Sequence, residues 1–266
     1  MSSTKTPTQL RLRVFAGPNG SGKSTLIQYV RDYKTGTGPI DFGYYINADE
    51  LAQSLRTGSF DFSQFDLMTD AKTFKATAIA SGLINKKFTE ETFIKVFKLS
   101  KNKLELTDSK YVEQLAQILA DFLRKQLLIH QKRFSFETVF SHESKLDIMR
   151  EAKANGYKVY LYFVSTETPE INKARVLSRK AQGGHDVPPD LIESRYYRSL
   201  DFLYEACQIA YQVFFFDNST DGKESNMYAH FKMVNGKKKW DDMKMEDLPR
   251  WFIKYYLGKI PMPKVK

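Results

Sequence analysis

The sequence predicts an α/β fold in which a mostly parallel β-sheet lies between two layers of helices. Three observations carry that expectation. Strand-like and helix-like segments alternate along most of the chain, as strands joined by crossover helices do. The run from Lys158 to Val164 is almost continuously apolar, which suits a strand covered on both faces. The first strand also runs straight into a glycine-rich turn and then a helix, the setting in which such turns hold phosphate.

Leu10, Leu12, Val14, Phe15 and Ala16 give the first strand, and Ser24 to Arg31 the first helix. Tyr44 to Ile46 is a short second strand that leads into Asn47-Ala48-Asp49-Glu50 and a further helix. Residues 68–84 read as helical. Residues 85–108 mix Lys, Thr, Asn and aromatics without a clean period and read as an irregular insertion or hairpin. Tyr111 to Gln131 places Val112, Leu115, Ile118, Leu119, Phe122 and Leu123 on one helical face. Phe134 to Thr138 is a strand, and Gly156 ends a helix that starts near Ser144. Residues 169–182 and 189–212 are two helices about a Gly-Gly-His-Asp-Val-Pro-Pro break, and Val213 to Phe216 is the last core strand. Beyond it, Phe231 to Trp240 alternates about Asn235-Gly236, a hairpin signal, and Leu248 to Leu257 is amphipathic.

Composition narrows the class. A chain of 266 residues with 42% hydrophobic and 14% aromatic residues can bury a full core and is not disordered. The first ten residues are polar, no run of 18 apolar residues occurs, and the one cysteine, Cys207, sits among apolar neighbours as an inert thiol. These features predict a cytoplasmic protein with no membrane segment. The net charge of +10 suits a polyanionic partner, nucleic acid or a phosphorylated small molecule. Much of that excess lies in short groups, Lys86-Lys87, Lys237 to Lys239 and Lys264/Lys266, which read as solvated surface.

The chemistry is carried by residues 17–24, Gly17-Pro18-Asn19-Gly20-Ser21-Gly22-Lys23-Ser24, a full G-x-x-x-x-G-K-[ST] loop followed by Thr25. Its glycines let backbone N–H groups turn inward around the phosphates of ATP or GTP. Lys23 reaches the β- and γ-phosphates, the Ser24 hydroxyl is a ligand for Mg²⁺, and the helix N-terminus adds its dipole. The fold expected is therefore a P-loop NTPase three-layer αβα sandwich. Its domain would cover residues 1–220, with a helical insertion at about 55–130 and a helical lid at about 169–200. Residues 221–266 would form a small β-hairpin and helix appendage.

Parallel α/β sheets place ligands at the carboxyl ends of their strands. Asp49, just after the second strand, is the candidate to orient an acceptor hydroxyl and take its proton. Glu137 and Thr138 end a strand, and with Ser141 they are candidates to bind substrate. Asn218, after the last core strand, would flank the nucleobase. Arg175, Arg179, Arg195 and Arg198 project from the two helices about Gly183-Gly184-His185. Arginines on a closing lid stabilise charge on a transferred phosphoryl group and exclude water.

The ordered set resembles the zeta toxin family of P-loop kinases. The resemblance rests on Phe15 to Thr25, Ile46-Asn-Ala-Asp49-Glu50, Phe136-Glu137-Thr138, the Arg179 to Arg198 segment and Phe216-Asp217-Asn218-Ser219. The Gly-Gly-His lid is similar to the chromosomal branch of that family. The resemblance implies an ATP-dependent kinase with a small-molecule acceptor, the 3′-hydroxyl of UDP-N-acetylglucosamine in the toxins, and a neutralising antitoxin protein for a toxic member. It implies that Lys23 and Ser24 bind ATP–Mg²⁺, Asp49 acts on the acceptor hydroxyl, and Glu137 and Thr138 line the acceptor pocket. Arg179 and Arg195 would hold phosphates, with Arg198 as a third. Two other readings stand beside it: a polynucleotide 5′-hydroxyl kinase, for which the positive charge would be a nucleic-acid footprint, and an ATP-regulated binding module without transfer activity.

Overall fold

In the computed structural model, which describes residues 9–36, 38–183, 187–220 and 226–261, the strand β1 (Arg11–Ala16) is buried from Leu12 onward. Gly22, in the left-handed conformation, starts helix α1 (Lys23–Asp32), which buries Leu26, Ile27 and Val30 along one face. A short antiparallel pair, β2 (Lys34–Thr35) and β3 (Gly38–Pro39), follows. The chain forms two units, residues 1–41 with 137–266 and residues 42–136.

The second unit begins with β4 (Tyr44–Ile46) and α2 (Ala48–Thr57), whose N-cap Asn47 accepts the Asp49 N–H at 2.9 Å. Then come β5 (Ser59–Asp61), α3 (Ala71–Ile79), α4 (Glu90–Lys95), β6 (Phe97–Ser100), β7 (Lys103–Leu106), the long helix α5 (Val112–Ile129) and β8 (Phe134–Thr138). β4 pairs in parallel with β8, Ile46 opposite Phe136. The insertion expected to be helical holds a three-stranded antiparallel sheet, β5-β7-β6. Its hairpin turns on Lys101 and Asn102, both at positive φ, where glycine is the usual signal. The Asn102 side chain steadies the bend, donating to the Leu67 carbonyl and accepting from the Thr69 N–H. Phe62, Phe74, Phe93, Phe97 and Phe122 close this core, with neighbouring ring centroids 4.9–6.2 Å apart.

The first unit resumes at Glu137, so the last two residues of β8 belong to it. It continues with α6 (Ser144–Ala154), β9 (Lys158–Ser165), α7 (Pro169–Ala181), α8 (Pro189–Asp201), α9 (Leu203–Ile209), β10 (Gln212–Asp217), β11 (Asn226–Val234), β12 (Lys237–Trp240) and α10 (Arg250–Tyr255). β1, β9 and β10 run parallel, Phe15 opposite Tyr162 and Tyr162 opposite Phe214. These rings and His230 on β11 stack in a ladder across four strands, at 4.7, 4.7 and 4.5 Å. The helix expected over 189–212 is two helices broken at Phe202. Leu200 and Leu203 are both fully buried on the two sides of that break.

Residues 226–261 do not stand apart as an appendage. β11 pairs antiparallel with β10, and β12 with β11, so they extend the sheet of the first unit. Phe215 of β10 has an apolar face to bury, and it packs against Phe231, Trp240, Phe252 and Tyr256. The lysine run read as solvated is also split. Lys237 and Lys239 are exposed, whereas Lys238 lies over the rings of Phe231, Tyr256 and Tyr204 and donates to the Gln208 amide oxygen at 2.9 Å. Cys207 is buried, and burial pushes its thiol far above the ordinary range. No helix among the described residues is long and apolar enough to cross a membrane. The described residues also hold no group of three or more His, Cys, Asp or Glu side chains that could ligate a metal.

Candidate active site

Between β1 and α1 the chain makes a tight loop that only glycine permits. Gly17, Gly20 and Gly22 have φ of +153°, +75° and +94°. A Cβ on each would lie 2.1 Å from the Val164 carbonyl oxygen, 2.7 Å from the Asn172 carbonyl oxygen and 2.2 Å from the Asn218 amide nitrogen. The loop is thus wedged against β9, α7 and the end of β10 at the carboxyl edge of the parallel strands. Inside it, the buried Lys23 ammonium donates to the Pro18 carbonyl at 2.9 Å and stands 3.8 Å from Glu137 Oε1. Gly17 N–H donates to the Thr138 carbonyl at 3.3 Å, which brings the end of β8 onto the loop.

Two buried oxygens of this loop, Asn19 Oδ1 and Ser21 Oγ, have no hydrogen-bond partner among the described residues. The Ser21 hydroxyl, which can donate, the backbone amides freed by glycine and the buried lysine fit an anionic phosphate group, whereas Asn19 Oδ1 only accepts and does not. Ser24 and Thr25, at the exposed start of α1, fit the place expected for a cation-binding hydroxyl.

The other expected residues divide. Thr138 is buried, and its hydroxyl accepts the Phe140 N–H at 3.0 Å, shaping the turn that follows β8; Ser141 is half-buried just beyond. Asn218 was expected beside a nucleobase, yet its side-chain amide donates to the Ser21 carbonyl at 2.9 Å and braces the loop. Asp217 accepts from Ser219 N–H at 3.0 Å and from the Trp251 indole at 2.9 Å, so it ties β10 to α10. Asp49 belongs to the second unit, exposed in the first turn of α2.

α7 and α8 pack together as the expected pair, linked by the Lys173–Glu193 ion pair. Arg179 and Arg198 are exposed and Arg195 is half-buried. Among the described residues no carboxylate pairs with any of the three. Burial, and then the positive charge of Arg198, pull the Arg195 guanidinium below its ordinary pKa. Arg175 faces differently and donates to the Asn218 carbonyl at 2.7 Å. Gly183 has φ of +88°, while Gly184, His185 and Asp186 lie outside the described residues.

The zeta toxin family model matches residues 92–222, from α4 through α7, α8 and β10. That stretch, just under half of the chain, is similar to the zeta toxin family. The matched stretch takes in Glu137, Thr138, the lid arginines and Asn218, and it starts downstream of the phosphate loop. An uncharacterized protein of Haemophilus influenzae is 36% identical to this chain over 63 residues, which are 24% of this chain and 45% of that protein. The chain therefore spans less than half of that relative. Among solved structures, the AvrRxo1-ORF1:ORF2 complex with ATP is similar at 17% identity and a TM-score of 0.47, over 88% of this chain and 61% of that one. The PezAT chromosomal toxin–antitoxin system of Streptococcus pneumoniae is similar at 15% identity and a TM-score of 0.47, over 80% and 70%.

Sequence reasoning missed Asn172, which is fully buried on α7 and donates to the Asn19 carbonyl of the loop. The signal was there. Pro169, Asn172 and Val176 form the buried stripe of α7, and a polar residue in such a stripe needs a partner.

Proposed function

We propose that the chain is an ATP-dependent kinase that transfers the γ-phosphoryl group to a hydroxyl of a small metabolite, of the nucleotide-sugar class that the family resemblance implies, UDP-N-acetylglucosamine first. The observation that supports it best is the setting of Lys23, buried in a glycine loop between the Pro18 carbonyl and Glu137. A cation held there is placed for the phosphates of a nucleotide, as a point charge that the low local dielectric strengthens.

In this reading the loop amides and Lys23 bind the nucleotide phosphates, and Ser24 with Glu137 would hold Mg²⁺, which neutralises phosphate charge when bound. Asp49 would accept the proton of the acceptor hydroxyl. Arg179 and Arg195, with Arg198, would meet the charge on the transferred group, Arg195 most strongly because it is partly desolvated. Thr138 and Ser141 would contact the acceptor. The same resemblance brings a neutralising antitoxin as partner.

The deciding experiment is transfer of γ-³²P from ATP to nucleotide sugars, free sugars and 5′-hydroxyl oligonucleotides, with Lys23→Ala as the blank. Label on a nucleotide sugar that the variant loses supports the proposal. Label on an oligonucleotide, with binding that weakens steeply as salt rises, replaces it with the end kinase and gives the +10 charge a role. Tight ATP binding with no acceptor labelled replaces it with the regulated binding module.

A further inference from the structure

We propose that Asn172 is a positioning residue for the phosphate loop, acting from the lid helix α7; this rests on the nucleotide-binding reading above. The Asn172 amide nitrogen donates to the Asn19 carbonyl, and its Oδ1 is bonded to the Thr166 hydroxyl. The first contact fixes which end of the amide faces the loop, because the Asn19 carbonyl can only accept, and the Thr166 hydroxyl then serves as donor to the Oδ1 end. Thr166 is itself held, since its carbonyl accepts the buried Tyr196 hydroxyl of α8 at 2.7 Å. Burial pushes the Tyr196 phenol well up, so it remains a donor. One turn along α7 from Asn172, Arg175 donates to the Asn218 carbonyl, and Asn218 in turn donates to the Ser21 carbonyl.

α7 thereby claims two loop carbonyls, Asn19 directly and Ser21 through Asn218. A peptide plane is rigid, and its N–H points opposite to its C=O. Holding the Asn19 and Ser21 carbonyls toward α7 and β10 aims the N–H groups of Gly20 and Gly22 the other way, into the concavity where an anion would sit. Gly20 lets α7 come this close, since a Cβ there would meet the Asn172 backbone oxygen at 2.7 Å. The loop is preorganised by a helix far from it in sequence.

The test uses the full chain carrying Asn172→Ala, Asn172→Asp, Thr166→Val, or Asn172→Ala with Thr166→Val. ATP affinity is read by calorimetry, and loop opening by amide hydrogen exchange without nucleotide. Asn172→Ala is expected to weaken ATP binding about tenfold or more and to speed exchange over residues 20–23, leaving β9 protection as it was. Asn172→Asp, which sets an acceptor against the Asn19 carbonyl, is expected to weaken it further. Thr166→Val is expected to weaken binding less, and to add nothing when Asn172 is already Ala. The proposal is overturned if Asn172→Ala leaves both ATP affinity and loop exchange unchanged. It is equally overturned if exchange quickens throughout the first unit with ATP affinity intact, the mark of a packing role only. Should the unmodified chain bind no ATP, the kinase reading fails, and the exchange over residues 20–23 alone decides the role of Asn172.

Discussion

Lys23 and Glu137 stand 3.8 Å apart, and this contact joins the phosphate loop to the end of β8. Both are largely buried, at 8% and 17% side-chain exposure, so neither charge is left to water. Lys23→Ala is expected to lower phosphoryl transfer at least about 100-fold, the loss that follows removal of one preorganised charge from such a site. Steady-state ATP consumption with saturating acceptor checks it, beside a thermal scan to show that the fold is retained.

Asp49 is exposed in the first turn of α2, where Asn47 already supplies the cap. Its carboxylate is therefore not needed to start the helix. Asp49→Asn is expected to leave ATP affinity within a few-fold and to remove transfer. Full activity in that variant would withdraw the assignment of the base.

The loop glycines differ from those elsewhere. Gly22→Ala forces a Cβ to 2.2 Å from the Asn218 amide at φ of +94°, whereas a Cβ at Gly36 meets nothing within 4 Å. The first substitution is expected to destroy ATP binding, and Gly36→Ala to leave it unchanged. Binding isotherms for the pair separate loop geometry from a general loss of stability.

What could be read beforehand followed the range of the interactions. The glycine loop, the apolar strand at 158–164 and the amphipathic helix from Tyr111 are local patterns, and they stand in the structure as β1 into α1, β9 and α5. The β6-β7 hairpin lies within 85–108, one of the two readings of that stretch, but its turn on Lys101 and Asn102 carries no glycine, and the pairing of β5 with β7 had no local signal. The place of β11 was hidden because nothing in 226–234 says which strand it will pair with; the open edge of β10 decides that. The positions of Lys23 in the glycine loop and of Arg179, Arg195 and Arg198 on the α7–α8 pair followed from residue type and spacing. The bracing roles of Asn172 and Asn218 depend on partners 153 and 197 residues away, and no local pattern records them.

The pairing of β10 with β11 makes the C-terminal segment part of the core. Phe215→Ala is expected to cost about 3–5 kcal/mol, since the ring fills the space between Phe231, Trp240, Phe252 and Tyr256. A chain cut after Thr220 leaves that ring uncovered and is expected to lose its cooperative unfolding transition. Urea titration followed by tryptophan fluorescence suits the first, and circular dichroism suits the second.

Lys238 offers a contrast within three adjacent lysines. Its ammonium lies over the rings of Phe231 and Tyr256 and donates to the Tyr256 hydroxyl at 3.1 Å. Lys238→Ala is expected to lower stability by about 1–2 kcal/mol, through lost packing and cation–π contact. Lys237→Ala and Lys239→Ala, both at exposed positions, are expected to stay within about 0.5 kcal/mol. Chemical denaturation midpoints of the three single variants decide the matter.

The tie from Asn218 to Ser21 also bears on synthesis. A ribosome makes the chain from its first residue, so the phosphate loop emerges long before Asn172 and longer still before Asn218. Until those two residues have left the exit tunnel, the carbonyls of Asn19 and Ser21 have no brace and the loop amides no fixed aim. On the nucleotide-binding reading, the loop gains its brace only after both Asn172 and Asn218 have emerged.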